Sequence, residues 1–403
     1  MNSISKCILL ILILLNVLGH ITQGQDLSTS NDQLNLSDTT RSIGNVIDIE
    51  LSDSEYNEMQ KINGEKIKIK PKLLVINGDT LVPEKIETRG QTTLQFKRKS
   101  LSVNLSTNAS LKNDSSNEKL KEFDLLNLAM DKYYVRNRLA FKMMEKIDLF
   151  ELFNTYSELR LNGNSNGIFM IVEKPDEWAM HKKNSPLIIR RGYNHEIDKF
   201  KIDKKQNKKT INLYFDSFTK IYKSINKYNG EELYNKLSEV MDVENYFKWL
   251  AFNYFVRNGD YSDEVFFYID PEINKFRIIP WDYDDIFSII PHEGKEAKKK
   301  QVGNKLIFSS EDILDVKIVS DPFLYNKYLG TLKKLIQDID PKVLKQIVEE
   351  TYAELYPFYS REEIISMAKY DVYKDPNLEN LKTEMVSVYY GLLGTRKIIL
   401  DNL

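Results

Sequence analysis

Cysteine is nearly absent from this chain of 403 residues, which contains Cys7 and no other. Cys7 opens an apolar run over residues 7–18 that follows Lys6 and precedes a small-residue segment at 22–24. This pattern predicts a secretory signal peptide over residues 1–24, and an uncleaved anchor is the alternative. Removal of the signal would leave a mature chain without cysteine. Such a chain has no disulfides, thiol nucleophiles or cysteine-type zinc sites.

The chain also lacks an excess of either charge, because it has 57 basic and 59 acidic residues and a net charge of −2. This balance does not favour bulk binding to nucleic acid or to an anionic membrane. The histidines His181, His195 and His292 show no metal-binding spacing. Motifs of serine hydrolases, P-loop proteins and zinc sites are missing as well. With 42% hydrophobic residues, the chain can still bury a substantial core.

Strand patterns come first along the chain and helical patterns follow. Residues 25–44, rich in Ser, Thr, Asn and Asp, predict a disordered lead. Alternating apolar residues predict strands at 45–51, 66–70, 72–77, 85–90 and 100–105, followed by a polar loop at 106–118. A helix is predicted from Tyr134 and a hairpin over 158–173 around Asn162-Gly163. Helical patterns then occupy 231–241, 243–256, 341–355 and 378–402. The sequence thus predicts an α+β protein of two lobes.

Acidic residues flank a predicted hairpin in the second half of the chain. Asp260 ends an aromatic helical run that begins at Trp249. Asp282, Asp284 and Asp285 follow an apolar strand-like run, and neighbouring carboxylates repel one another unless they share a cation or a proton. Two such acid positions suit metal-assisted phosphoryl transfer, where one acid orients a nucleophile and the other holds a metal. Taken alone, Asp260 is equally typical of a turn.

A basic segment over residues 89–100 joins two of the predicted strands. It contains one glycine and four cations, Arg89, Lys97, Arg98 and Lys99. Backbone amides, hydroxyls and a lysine charge in such a turn can hold phosphate, although an ordinary basic hairpin is the alternative. An apolar strand that ends at Glu173 likewise suits either a hinge that meets a purine or a plain hairpin. Arg136 suits a buried ion pair or a surface salt bridge.

Six segments in this order resemble the CotH kinase family, named for spore coat protein H, whose members are atypical secreted or spore-associated protein kinases. The resembling segments lie between residues 85 and 403. They are Arg89-Gly90 to Lys99-Ser100, Tyr134-Val-Arg-Asn137, Leu161-Asn-Gly to Ile168-Phe-Met-Ile-Val-Glu173, Asn253-Tyr254 to Asn258-Gly-Asp260, Phe266-Phe-Tyr268 and Pro280-Trp-Asp-Tyr-Asp284. The resemblance implies a diverged, bilobal protein-kinase-like fold with its N-lobe at about 45–180, its C-lobe at about 181–403 and a nucleotide between them.

The resemblance also implies roles for acidic residues. Asp260 matches the catalytic aspartate that orients the substrate hydroxyl. Asp282 matches the metal-binding aspartate, with Asp284 in support. Glu264 stands where the family usually carries an asparagine, and its carboxylate can bind magnesium with more negative charge.

Four further residues are implied as nucleotide contacts. Arg89 and Lys99 would lie near the phosphates, and Glu173 would sit by the adenine. Arg190 replaces the usual lysine, which keeps the charge but changes the geometry.

The implied activity is transfer of phosphate from ATP, with Mg²⁺ or Mn²⁺, to Ser or Thr of a protein partner. The partner is expected to be Ser/Thr-rich, with no nucleic acid and no stable membrane span in the mature form. The signal peptide implies a secreted, periplasmic or cell-surface protein. Two alternatives stay open: an inactive pseudokinase that binds partners in adhesion or coat assembly, and nucleotidyl transfer from ATP.

Overall fold

The computed structural model describes residues 34–38, 41–113 and 117–403. The predicted signal peptide and most of the predicted disordered lead lie outside these residues. Leu36–Leu403 form one compact unit. Among the residues described, no helix combines the length and apolar character needed to cross a membrane.

A nine-stranded sheet dominates the first half of the described chain. Its strands are β1 (Asn45–Glu50), β2 (Lys68–Ile69), β3 (Leu73–Ile76), β4 (Asp79–Thr80), β5 (Pro83–Arg89), β6 (Ser100–Lys112), β7 (Asn117–Leu126), β8 (Asn154–Leu161) and β9 (Asn164–Glu173). They are ordered β2-β5-β6-β7-β9-β8-β1-β3-β4, with parallel pairing between β1 and β8 and antiparallel pairing elsewhere. The alternating apolar pattern therefore predicted the early strands and the Asn162-Gly163 hairpin correctly.

This sheet curls until its two ends approach each other. Strands β2 and β3 lie near opposite ends of the order, yet three residues connect Ile69 to Leu73. A connection this short spans at most about 14 Å. The concave side encloses an apolar core to which most of the strands contribute, including Ile47, Val103 and Phe169.

The predicted polar loop at 106–118 is wrong. Strand β6 continues to Lys112 and β7 begins at Asn117. Leu105, Ala109 and Leu111 are buried on the core side, while small polar residues between them face outward. Because these outward residues outnumber the apolar ones, the alternation is weak in the sequence although the strand is continuous.

Helices and a second sheet form the rest of the unit. The helices are α1 (Asp53–Met59), α2 (Arg136–Lys146), α3 (Lys208–Lys223), α4 (Gly230–Val240), α5 (Val243–Val256), α6 (Lys295–Val302), α7 (Ile313–Ser320), α8 (Pro322–Asp338), α9 (Pro341–Tyr359), α10 (Glu362–Ile365) and α11 (Leu378–Asp401). The antiparallel second sheet has the order β11-β10-β12-β13, with β10 (Leu187–Arg191), β11 (Ile197–Ile202), β12 (Val265–Asp270) and β13 (Lys275–Ile279). The α+β class and the predicted helices are confirmed.

Helix α5 supports the hairpin formed by β12 and β13. The Asp242 side chain caps its first turn by accepting from the Asn245 amide, and the Asn245 side-chain oxygen accepts from the Ile278 amide of β13 at 3.2 Å. Most side chains of α5 are buried, so the helix has little freedom to move. It ends at Arg257 in a left-handed conformation, which turns the chain toward Asp260.

Candidate functional site

The β12–β13 hairpin brings the two acidic segments to one end of the second sheet. Phe266 of β12 pairs with Ile279 of β13. The loop that carries Asp260 leads into β12, and the loop that carries Asp282 leaves β13. Both loops therefore lie side by side, as the predicted hairpin requires.

Close backbone contacts hold these two loops together. The Gly259 amide donates to the Asp285 carbonyl at 3.0 Å, and the Asn258 side chain donates to the Asp282 carbonyl at 3.2 Å. A Cβ atom at Gly259 would lie 1.9 Å from the Asp285 carboxylate. Glycine at this position thus leaves room for the Asp285 side chain to lie directly against the Asp260 loop.

The three predicted acids influence one another's protonation. Burial, followed by the charges of Asp284 and Asp260, raises the pKa of Asp282 to about 8. Burial, followed by a hydrogen bond and the charge of Asp263, raises the pKa of Asp260 to about 7. Burial also raises the pKa of Asp284. Because Asp260 and Asp282 lie at the protein surface, although neighbouring protein atoms crowd their carboxyls, a cation can reach the cluster and replace the retained protons.

Two residues without a predicted role join this cluster. Ligand atoms of Asp260, Asp263 and His292 all lie within 4.8 Å of one another, and His292 Nδ1 is 3.8 Å from Asp263. Carboxylate oxygens suit Mg²⁺ or Mn²⁺, and an added imidazole is compatible with Mn²⁺. The sequence feature that could have identified Asp263 is its position three residues after Asp260. His292 carries no such signal, because the fold alone brings it to the hairpin.

Arg136 connects helix α2 to the acidic loop. Its guanidinium Nη1 donates to the Asp284 carbonyl at 3.1 Å, and its charge partly offsets the burial that raises the pKa of Asp284 and Asp285. The buried Asp131 carboxylate fixes the start of α2 by accepting from the Arg136 amide at 2.8 Å. Arg136 therefore bridges elements that are distant in sequence instead of forming a surface salt bridge.

A cleft of about 360 Å³ opens next to the acidic loops, between the two sheets. The first sheet contributes polar and charged side chains to its lining, including Thr88, Arg89, Ser102, Asn104 and Asp124. The second sheet contributes apolar ones, Ile188, Phe200, Phe266 and Ile279. Residues 174–177 line the cleft where the chain passes from one sheet to the other, and Trp281 lines it beside Asp282. The cleft thus has one apolar wall and one polar wall, as a small-molecule site requires.

Arg89 lies where the cleft meets the acidic loops. Its guanidinium is 3.1 Å from the Asp124 carboxylate and 5.3 Å from the centre of the Trp281 ring. Its positive charge lowers the pKa of Asp282, against the larger effect of burial. Asp124, which the sequence did not single out, holds this arginine in place.

Two predicted nucleotide contacts point elsewhere. Lys99 is buried, and its ammonium donates to the Leu94 carbonyl within the 89–100 segment. Glu173 is also buried, and its carboxylate pairs with Lys182 at 3.0 Å. Neither Lys99 nor Glu173 is among the described residues that line the cleft.

Arg190 and Glu264 pair with each other outside the cleft. Arg190 Nη1 is 3.2 Å from the Glu264 carboxylate, and Arg190 Nη2 is 2.7 Å from Asp198. Both side chains of the pair are partly accessible to solvent. Asp263, and not Glu264, therefore takes the place expected of a second metal-binding residue, because Asp263 contacts Asp260 directly.

A comparison with known families yields one match. The family described as CotH kinase protein matches residues 86–385, which include strands β6 to β9 of the first sheet, the whole second sheet, α2, α5 and the acidic loops. No curated protein matches the chain significantly. Since the match covers well over half of the 403 residues, this chain belongs to the CotH kinase protein family.

Proposed function

We propose that this protein is a metal-dependent kinase that transfers the γ-phosphoryl group of ATP to Ser or Thr of a protein. The observation that carries the proposal is the convergence of Asp260, Asp282 and Asp284 on two adjoining loops beside a cleft of about 360 Å³. Membership in the CotH kinase protein family supports a kinase, and the chemistry of the site supports the finer assignment.

The adenine base is proposed to lie against the apolar wall of the cleft. Ile188, Phe266 and Ile279 offer a flat apolar surface, and the chain segment from Lys174 offers backbone groups beside it. The phosphates would then point toward Arg89, the cation that stands between the cleft and Asp282. On this proposal the first and second sheets would take the places of the two expected lobes, at about 45–180 and about 181–403, on either side of the nucleotide.

Asp260 is proposed to position the accepting hydroxyl and to take its proton. The hydroxyl oxygen forms a bond to the γ-phosphorus, the bond from that phosphorus to the β–γ bridging oxygen breaks, and ADP leaves. A raised pKa near 7 suits a carboxylate that accepts a proton close to neutral pH. Asp282, Asp284 and Asp263 would supply the oxygen ligands for a divalent cation. A bound Mg²⁺ or Mn²⁺ would offset phosphate charge.

The experiment is transfer of label from γ-labelled ATP to a Ser-rich protein by the full mature chain, with Mg²⁺ and with Mn²⁺. Asp260→Asn should abolish labelling, since the amide cannot accept the proton. Asp79→Asn, an exposed change at the start of β4, is the matched control and should label like the wild type. Absence of label in the wild type, or equal label in Asp260→Asn, would sink the proposal.

A second candidate is a pseudokinase that uses the cleft or the surface for binding alone. It is favoured by the inward-facing Lys99 and by the Arg190–Glu264 pair, which remove three predicted contacts from the cleft. A thermal-shift scan separates the candidates, because a kinase requires stabilisation by ATP that depends on the metal. Export through a signal peptide and a Ser/Thr-rich partner at the cell surface are part of the proposal in either case.

A further inference from the structure

A buried polar network lies beneath the loop that carries Asp260. At its centre is Asp315 in the first turn of α7, whose side chain is 1% exposed. The Tyr246 hydroxyl of α5 donates to Asp315 at 2.7 Å, and the Tyr261 hydroxyl is also within hydrogen-bond contact of this carboxyl. Two phenols from different elements therefore converge on one buried acid.

The cation of this network is committed to another acid. Arg191 of β10 pairs with Asp312 at 2.8 Å, and both side chains are buried. Burial raises the pKa of Asp315 well above its ordinary value. The hydrogen bond from Tyr246 acts against this effect of burial on Asp315.

Tyr261 is the member of this network that belongs to the Asp260 loop. Its hydroxyl donates to the Ser309 carbonyl at 3.3 Å, and its ring packs edge-on against Trp249 at 5.3 Å between centroids. The next residue, Ser262, donates to the Glu311 carboxylate at 2.9 Å. The segment from Ser309 to Asp315 thus holds the residues directly after Asp260 at several points.

We propose that Tyr261 is a positioning residue: its phenol fixes the Asp260 loop to α7 and so sets the direction in which the Asp260 carboxylate faces the accepting hydroxyl. This inference rests on the proposed function, and it explains what holds the Asp260 loop in its position. Tyr261 itself is 3% exposed, so it does not touch the substrate. Its effect should appear in the chemical step, because a small misplacement of a reacting group lowers kcat more than it lowers substrate binding.

Two matched substitutions test the inference, Tyr261→Phe and Tyr246→Phe. Each removes one hydroxyl from Asp315 and keeps the buried ring, but Tyr246 lies in α5 and not in the Asp260 loop. Both variants should show similar losses in melting temperature. Tyr261→Phe should lower kcat roughly ten- to a hundredfold with little change in the KM for ATP, while Tyr246→Phe should keep kcat within about twofold of the wild type.

A second readout does not depend on turnover. Mn²⁺ affinity, measured by electron paramagnetic resonance on the full mature protein, should weaken several-fold in Tyr261→Phe and stay unchanged in Tyr246→Phe. Equal effects of the two variants on kcat and on Mn²⁺ affinity would overturn the positioning role. If the wild type transfers no phosphate, the proposed function fails, and the Mn²⁺ comparison alone decides for or against Tyr261.

Discussion

Replacing Glu354 by Gln should lower the free energy of unfolding by about 3 kcal/mol at neutral pH. Glu354 of α9 accepts two hydrogen bonds from the Arg138 guanidinium, at 2.7 and 2.9 Å, and lies 2.8 Å from the Lys142 ammonium. Both cations belong to α2, whose first residue, Arg136, contacts the Asp284 loop. The interaction therefore fixes the helix that reaches the candidate site.

The magnitude follows from the protonation of Glu354. Burial alone would raise its pKa, but the charges of Arg138 and Lys142 outweigh burial and lower the pKa from 4.5 to about 2. This lowering of the pKa corresponds to roughly 3 kcal/mol. Because the folded-state pKa is depressed, this stability is present above pH 4.5 and is lost as the pH falls toward 2. About 1 kcal/mol should remain at pH 3.

Urea unfolding at pH 7 and at pH 3 measures this effect. Glu350→Gln is the matched control, since Glu350 lies one turn away on α9 and pairs with Lys142 at 2.9 Å, but its side chain is 38% exposed. An exposed pair of this kind should contribute less than about 1 kcal/mol. The reasoning is refuted if the two variants lose the same stability, or if the loss in Glu354→Gln is the same at both pH values.

Three further outcomes concern the site. Gly259→Ala should force the acidic loops apart and remove most metal-dependent stabilisation in a thermal-shift assay, whereas Gly330→Ala, where nothing lies within 4 Å of the added carbon, should not. The metal-free protein should lose stability as the pH rises from 4 to 8. The raised pKa values of Asp260 and Asp282 let the folded state hold protons that the unfolded state releases near pH 4. Asp282→Asn should reduce this dependence of stability on pH, as measured by calorimetry. Arg89→Gln should weaken ATP binding roughly tenfold in titration calorimetry, and unchanged affinity would contradict its placement near the phosphates.

The fold was predictable where the pattern is local. Alternation identified β1 and the β8–β9 hairpin, and helical spacing at Val135, Leu139 and Met143 identified α2, because each of these elements buries one regular face. The closeness of Asp260 to Asp282 was predictable for the same reason, since a short antiparallel hairpin joins them.

Side-chain direction was not predictable from the sequence. Lys99 occupies a basic segment that also suits phosphate, yet its ammonium faces the Leu94 carbonyl inside the protein. Glu173 ends the predicted strand as expected, but Lys182 from the following turn neutralises it. A shift of one position in a strand or turn moves a side chain from one face of the sheet to the other, and composition does not indicate which face it takes.

Long-range partners were beyond the sequence as well. His292 reaches Asp263 only because the chain after β13 folds back over the hairpin, and Asp124 reaches Arg89 through the pairing of β5, β6 and β7. Such contacts depend on tertiary structure and leave no periodic signal.

The most direct measurement is phosphate transfer from γ-labelled ATP by the wild type and by Asp260→Asn, combined with the metal-dependent thermal shift of both proteins in ATP. We predict labelling of a Ser-rich protein by the wild type, loss of labelling in the variant, and stabilisation by ATP with Mg²⁺ or Mn²⁺ in both. Equal labelling by the two proteins would contradict the assignment of Asp260, and absence of both labelling and stabilisation in the wild type would contradict the kinase itself.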